Sequence, residues 1–230
     1  MMPKAWEPLL DRLHDAWRDR ILTGLTLLMV IHLFVVAPLE SQVIHIQPIG
    51  AVFVVLLSIG LLILSRSLVP VAGVLGVVGL LAVAVVLRWR GGHVALDVSL
   101  QATAWLLIAL VIIWTVARAV FGPGRITYHR IVGAILLYLT IGLVFVALYT
   151  LVGAHTPDAF SGLTVSARAT LPSDLVYFSF TTLTTLGYGD IMPVHPIARS
   201  LSNVEAIIGQ VYPATLLARL VSLGEGSARR

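Results

Sequence analysis

The residues Thr181–Asp190, TTLTTLGYGD, have types and spacing suited to one kind of chemistry, the coordination of a dehydrated cation by oxygen. A cation such as potassium sheds water to enter a narrow pore, and other oxygens must replace that water. Backbone carbonyls can do so if consecutive residues turn them toward one axis. Such a backbone needs conformations that glycine tolerates best, and Gly187 and Gly189 supply them at alternate positions. Thr185 adds a side-chain oxygen at the inner end. The acids of the chain are scattered, no nucleophile–base pair is visible, and there is no cysteine to form a disulfide, a thiolate metal site or a nucleophile. The pattern points to ion binding and not to an enzyme. No cofactor is implied beyond the bound cation.

Two kinds of element must position this stretch. The first is a short helix. Leu175–Leu186 is apolar but rich in hydroxyls, and follows Pro172-Ser173-Asp174, a helix start with Ser173 or Asp174 as the cap. It is shorter than the roughly 20 residues needed to cross a bilayer, so it reads as a re-entrant helix. Its C-terminal end, partly negative, would face the cation. Irregular backbone at membrane depth survives only where protein or a water-filled cavity surrounds it.

The second kind is the spanning helix. Hydrophobic residues make up 58% of the chain and charged residues 11%, against about 25% charged in a soluble domain, and mean hydropathy is +0.98. Apolar runs predict six spans, over 21–39, 49–65, 69–87, 98–120, 131–152 and 196–223. The fold class expected is an all-α membrane protein, with six transmembrane helices plus the re-entrant helix and its loop. The formal net charge of +4 would suggest nucleic acid in a soluble protein. Here the basic residues lie between apolar runs and test the topology instead. With the N-terminus cytoplasmic, eleven fall inside (Lys4, Arg12, Arg18, Arg20, Arg66, Arg118, Arg125, Arg130, Arg219, Arg229, Arg230) and four outside (Arg88, Arg90, Arg168, Arg199), the bias the positive-inside rule requires. Both termini are then cytoplasmic, the protein is multi-pass in the cell (inner) membrane, and the re-entrant loop enters from outside. Residues 1–20 read as an interfacial amphipathic helix, with Trp6, Leu9, Leu10, Leu13 and Trp17 near one face, either a plain anchor or a gate. The break at 121–125 divides a four-helix domain, 21–121, from a pore domain, 126–226.

Residues Thr184–Asp190 resemble the signature of potassium channels, with Leu186 where the common pattern has Val and with the aromatic Tyr188 kept. The resemblance covers residues 126–224 and is most specific from Thr181 to Gly209. The front half resembles the family only in its count of four helices. The resemblance implies a filter of Thr185, Leu186, Gly187, Tyr188 and Gly189, holding K+ at the first four, and a homotetramer in which four such loops surround one axis. It implies that the Leu186 side chain packs behind the filter while its carbonyl coordinates. Asp190 would be the outer-mouth carboxylate, braced by Tyr177, which stands where relatives often place Trp, and Thr181 and Thr184 would also support the filter. Thr181 stands where other relatives place a bracing carboxylate. Gly209, 19 residues after Asp190, matches the family's inner-helix hinge, although a packing glycine would also fit. Pro213 would bend the same helix, Gln210 would line the cavity, and Leu217 and Val221 would narrow the inner mouth.

Glu205, a carboxylate inside an apolar helix, calls for a functional reading, either bracing through pore-helix hydroxyls or titration that modulates conduction. The fourth span carries one basic residue, Arg118, where a voltage sensor needs a repeat of them, so little intrinsic voltage dependence is expected. Gly73, Gly76 and Gly79 read as a packing face of the third span. Few residues follow the sixth span, so no ligand-binding cytoplasmic domain is expected, and no gating stimulus or regulatory partner is legible. Two rival functions remain, a nonselective cation channel and a nonconducting regulatory or scaffold subunit.

Overall fold

The computed structural model describes residues 20–36, 39, 48–64, 68–90, 94–121, 128–156, 158–163 and 173–228. Helix α1, Arg20–Val36, widens into a π turn over His32–Val36. It is followed by α2 (Pro48–Leu64), α3 (Leu68–Trp89), α4 (Val94–Phe121), α5 (Tyr128–His155), strand β1 (Phe160–Ser161), the short α6 (Ser173–Leu183), β2 (Met192–Pro193) and α7 (Pro196–Ala228). Each apolar run of the sequence is a helix, within a few residues of the expected bounds. The amphipathic stretch 1–19, the break at 122–125 and residues 164–172 lie outside the described residues.

Among the described residues, three helices are long and apolar enough to cross a membrane: Leu68–Trp89, Ala95–Phe121 and Tyr128–His155. Arg20–Val36 and Phe53–Leu64 are apolar but shorter. Helix α7 has the length, at 33 residues, but carries Arg199, Glu205, Gln210 and Arg219. The chain is thus an all-α membrane protein with three clear spans by length and composition, fewer than the six expected. The difference lies in short helices at the front and polar residues at the back.

The chain divides into two compact units, residues 1–74 with 111–139 and residues 75–110 with 140–230. In the first, small residues and hydroxyls let helices approach, as membrane packing requires. Thr26 Oγ1 donates to the Leu22 carbonyl at 2.8 Å and lies 3.3 Å from the Val132 carbonyl of α5. Thr23 Oγ1 meets His129 Nδ1 at 2.8 Å. A side chain on Gly133 would run into Val120, and one on Gly73 into Val111. On α4 the Arg118 guanidinium sits 4.2 Å over the Trp114 ring.

In the second unit, Gly76 lies close to Leu107 of α4, and Gly79 has open space beside it. Two of the three glycines on α3 therefore pack against α4. Arg88 donates to Asp97 Oδ2 at 2.7 Å, as does Gln101 at 3.0 Å, joining the end of α3 to the start of α4. The core of this unit is aromatic. Tyr149 of α5, Phe160 of β1 and Phe178 of α6 meet edge to face with centroids 5.0–5.6 Å apart. Such pairs contribute roughly 0.5–1.5 kcal/mol each beyond area burial. This cluster, with Phe145, Val146, Leu175 and Ala198 buried around it, holds the short helix in place.

Candidate functional site

Helix α6 reads SDLVYFSFTTL. Leu175, Phe178, Ser179 and Leu183 are buried while Asp174 and Tyr177 are exposed, the i, i+3, i+4, i+8 pattern of a one-faced helix. The exposed acid in its first turn suits the helix dipole. The helix stops in a Schellman arrangement. The Leu186 N–H reaches back to the Thr181 carbonyl at 2.8 Å, and the Thr185 N–H to the Thr182 carbonyl at 2.9 Å. In that motif the residue occupied here by Thr185 takes a left-handed conformation and is usually glycine. Thr185 has φ 58°, although a β-branched residue pays about 1–2 kcal/mol there.

That strain begins a pattern. Thr185, Gly187 and Gly189 have φ 58°, 52° and 80°, and Leu186 and Tyr188 between them are not left-handed. In an ordinary strand every residue has negative φ and successive carbonyls point to opposite sides. Alternating the hand at each residue rotates every second peptide and gathers successive carbonyls on one side. Gly187 and Gly189 have nothing within 4 Å of where a Cβ would stand, so backbone conformation, not space, calls for glycine there. The whole loop Thr184–Asp190 is exposed, with Leu186 61% and Tyr188 68% open. The packing of Leu186 behind the loop, implied by the resemblance, is therefore not made within a single chain.

Contacts hold the loop at both ends. At the Asp190 end Tyr177 stacks on Tyr188, with centroids 6.2 Å apart and planes 6° from parallel. Desolvation, a side-chain hydrogen bond to Asp190 and the Asp190 charge all raise the Tyr177 hydroxyl above its ordinary pKa, so it stays protonated and donates. Beyond Asp190 the chain pairs with the segment after α5. Phe160 is opposite Pro193 and Ser161 opposite Met192, and the Val194 and His195 N–H groups both reach the Ala159 carbonyl. Gly162, at φ 81°, leaves no room for a side chain against the Asp190 carbonyl. The sequence reading missed this clasp, because two-residue strands leave no periodicity to find; Gly162 was its one signal.

At the Thr185 end Gln210 Nε2 donates to Thr185 Oγ1 at 2.8 Å. Next to it, Gly209 is buried and meets the end of α6. A Cβ there would stand 1.9 Å from the Leu183 carbonyl oxygen. Helix α7 runs unbroken through Gly209 and Pro213. Pro213 has no N–H to give the carbonyl four residues back, which is that of Gly209. Glu205, one turn before Gly209, is fully buried between Tyr149 Oη at 2.6 Å and Ser179 Oγ at 2.5 Å. Arg199 is turned instead to the Pro193 carbonyl. Thr181 Oγ1 and Thr184 Oγ1 donate to carbonyls of their own helix, Phe178 and Phe180. Leu217 is exposed, and the side chain of Val221 lies outside the described residues. Among the described residues no group of His, Cys, Asp or Glu is arranged to hold a metal ion.

Helices long and apolar enough to cross a membrane, together with a short helix followed by an exposed loop of alternating hand, mark a membrane protein with an oxygen-rich loop. Comparison with known proteins agrees. A family model described as "Ion channel" matches residues 133–225, from α5 through α7. Protein LctB of Geobacillus stearothermophilus is 31% identical over 122 residues, 52% of this chain and 89% of that protein. Protein LctB of Bacillus caldotenax is 31% identical over 121 residues, 51% and 88% respectively. No solved structure matches the chain. The chain belongs to the family of these LctB proteins and carries an ion-channel domain over residues 133–225; with its apolar helices it is a multi-pass membrane protein and not an enzyme.

Proposed function

We propose that the chain is one subunit of a homotetrameric potassium channel, with Thr185-Leu186-Gly187-Tyr188-Gly189 as its filter. The observation that carries this reading is the alternation of backbone hand over Thr185–Gly189 at the C-terminal, partly negative end of α6. One chain supplies one such loop and leaves it exposed. Four around an axis would cover Leu186 and Tyr188 and surround an ion with carbonyls. Asp190 concentrates cations at the outer mouth, and Tyr177 and Thr184 support the loop. Gly209 and Pro213 form the bend of the inner helix, Gln210 and Thr185 face the cavity, and Leu217 and Val221 narrow its exit. In this reading α1, α2 and α7 complete six spans, with both termini cytoplasmic. The division into residues 1–20, 21–121 and 126–226 goes with it. One basic residue on α4, Arg118, supports weak voltage dependence.

The test is current from the purified protein in a planar bilayer with potassium on one side and sodium on the other. A reversal potential near the potassium equilibrium value is expected. A value near zero would replace this reading with a nonselective pore, which Leu186 in the place of Val favours. Protein that inserts but never conducts, even when Leu217 is replaced by a small residue, would indicate a nonconducting subunit. A smaller effect is expected at the outer end. Tyr177→Phe removes the donor to Asp190 but keeps the stack on Tyr188, so current should decline several-fold faster during sustained opening. An unchanged time course would remove Tyr177 from the support of the filter.

A further inference from the structure

Glu205 sits where the three elements around the loop meet: α5 through Tyr149, α6 through Ser179, and its own helix α7. It is fully buried, and so are Tyr149 and Ser179. Among the described residues its two carboxyl oxygens meet only these hydroxyls. Among the described residues the titratable group in contact with it is Tyr149 of α5, while Arg199 on its own helix is turned to the Pro193 carbonyl. An ionised carboxylate without a cation in such a place is costly, because two hydroxyl dipoles replace little of its hydration.

Proton bookkeeping leads to the same conclusion independently. Ser179 Oγ lies 2.5 Å from Glu205 Oε1 and 2.9 Å from the Gly142 carbonyl oxygen. A serine hydroxyl has one proton. If Glu205 were ionised, that proton would go to the carboxylate. Two acceptor oxygens would then face each other at 2.9 Å, on Ser179 and Gly142, with no hydrogen between them. If Glu205 is protonated on Oε1, every contact is served. The acid donates to Ser179, Ser179 donates to Gly142, and Tyr149 donates to Oε2. The chain of hydrogen bonds runs one way from α7 through α6 to α5.

We propose that Glu205 is a neutral carboxylic acid at neutral pH, and that as a proton donor to Ser179 it is a positioning residue that fixes α6 between α5 and α7. Ser179 is one turn before Leu183, whose carbonyl rests on Gly209, so this strut and that contact set where α6 ends and the loop begins. The importance of that placement for conduction rests on the proposed filter; the protonation state does not.

The test is infrared difference spectroscopy of the full-length protein in lipid at neutral pH, wild type minus Glu205→Gln. The amide reproduces the acid's donor toward Ser179 and its acceptor toward Tyr149, so the variant should fold with unchanged yield. A carboxylic-acid carbonyl band present in the wild type and lost in the variant is the expected result. Loss of carboxylate bands instead, or failure of Glu205→Gln to fold, would overturn the proposal. Ser179→Ala gives a second reading, since removing the acceptor should shift the acid band. A spectrum unmoved in that region would also overturn it. Bilayer selectivity of Glu205→Gln should match wild type. If the wild type proves nonselective, the proposed filter fails while the infrared result still decides the protonation state.

Discussion

Gly209→Ala is expected to lower the amount of folded protein and its thermal midpoint more than any other single methyl added to α7. The glycine is helical and not left-handed, so its conformation suits alanine. The obstacle is a backbone atom. The added carbon would stand 1.9 Å from the Leu183 carbonyl oxygen, and a carbonyl cannot swing aside as a side-chain end can. Relief requires α6 or α7 to move, which overpacking studies put at about 1–3 kcal/mol for each chain. Because the contact lies at the C-terminal end of α6, any movement displaces the loop directly. The experiment separates two roles that the sequence left open. A hinge glycine replaced by alanine leaves folding intact and alters the opening equilibrium alone. A packing glycine loses folded protein first. Size-exclusion yield and thermal unfolding of Gly209→Ala, beside Ile207→Ala on the exposed face as control, should show the loss at Gly209 only. Equal behaviour of the two variants would argue against the packing role.

The second large effect belongs to Thr185, where strain and chemistry oppose each other. Its left-handed backbone would suit glycine better, by about 1 kcal/mol. Its hydroxyl, held by Gln210 at 2.8 Å, is what glycine would lack. Strain kept at a site of this kind points to use of the side chain. Thr185→Gly should therefore raise the thermal midpoint in potassium-free buffer while weakening stabilisation by added potassium. The loss of an oxygen contact to a charged partner, about 1.5–3 kcal/mol, corresponds to roughly tenfold or more in binding. Thr185→Ser keeps the oxygen and should retain potassium binding close to wild type. A Thr185→Gly protein that binds potassium normally would remove the hydroxyl from the coordination set. One that is destabilised without potassium would contradict the strain.

Much of the site was legible because its determinants are local. Glycine at alternate positions speaks through backbone freedom, which is a property of the residue and not of its neighbours. The short helix before it speaks through the spacing of Leu175, Phe178, Ser179 and Leu183 and through its helix-start residues. The apolar runs that became α2 to α5 needed only length and composition. The left-handed Thr185 escaped notice, since threonine carries no mark of that conformation. The span count was less secure for a related reason. The sequence reads α7 as an apolar span, but Arg199, Glu205, Gln210 and Arg219 make it polar, and it is not among the three helices long and apolar enough to cross a membrane.

The sequence by itself determined that this chain lives in a bilayer, that it carries one short helix followed by Gly-Tyr-Gly, and that Glu205 stands out among apolar neighbours. Each follows from hydropathy, periodicity or the conformational range of single residues. The tertiary structure alone decided that Gly209 is a point of contact with Leu183, that Gln210 reaches Thr185, that Tyr177 stacks on Tyr188, and that Glu205 lies between Tyr149 and Ser179. These pairs are 11 to 56 residues apart in the chain. No local rule reaches that far, and the packing of the helices decides which side chains meet.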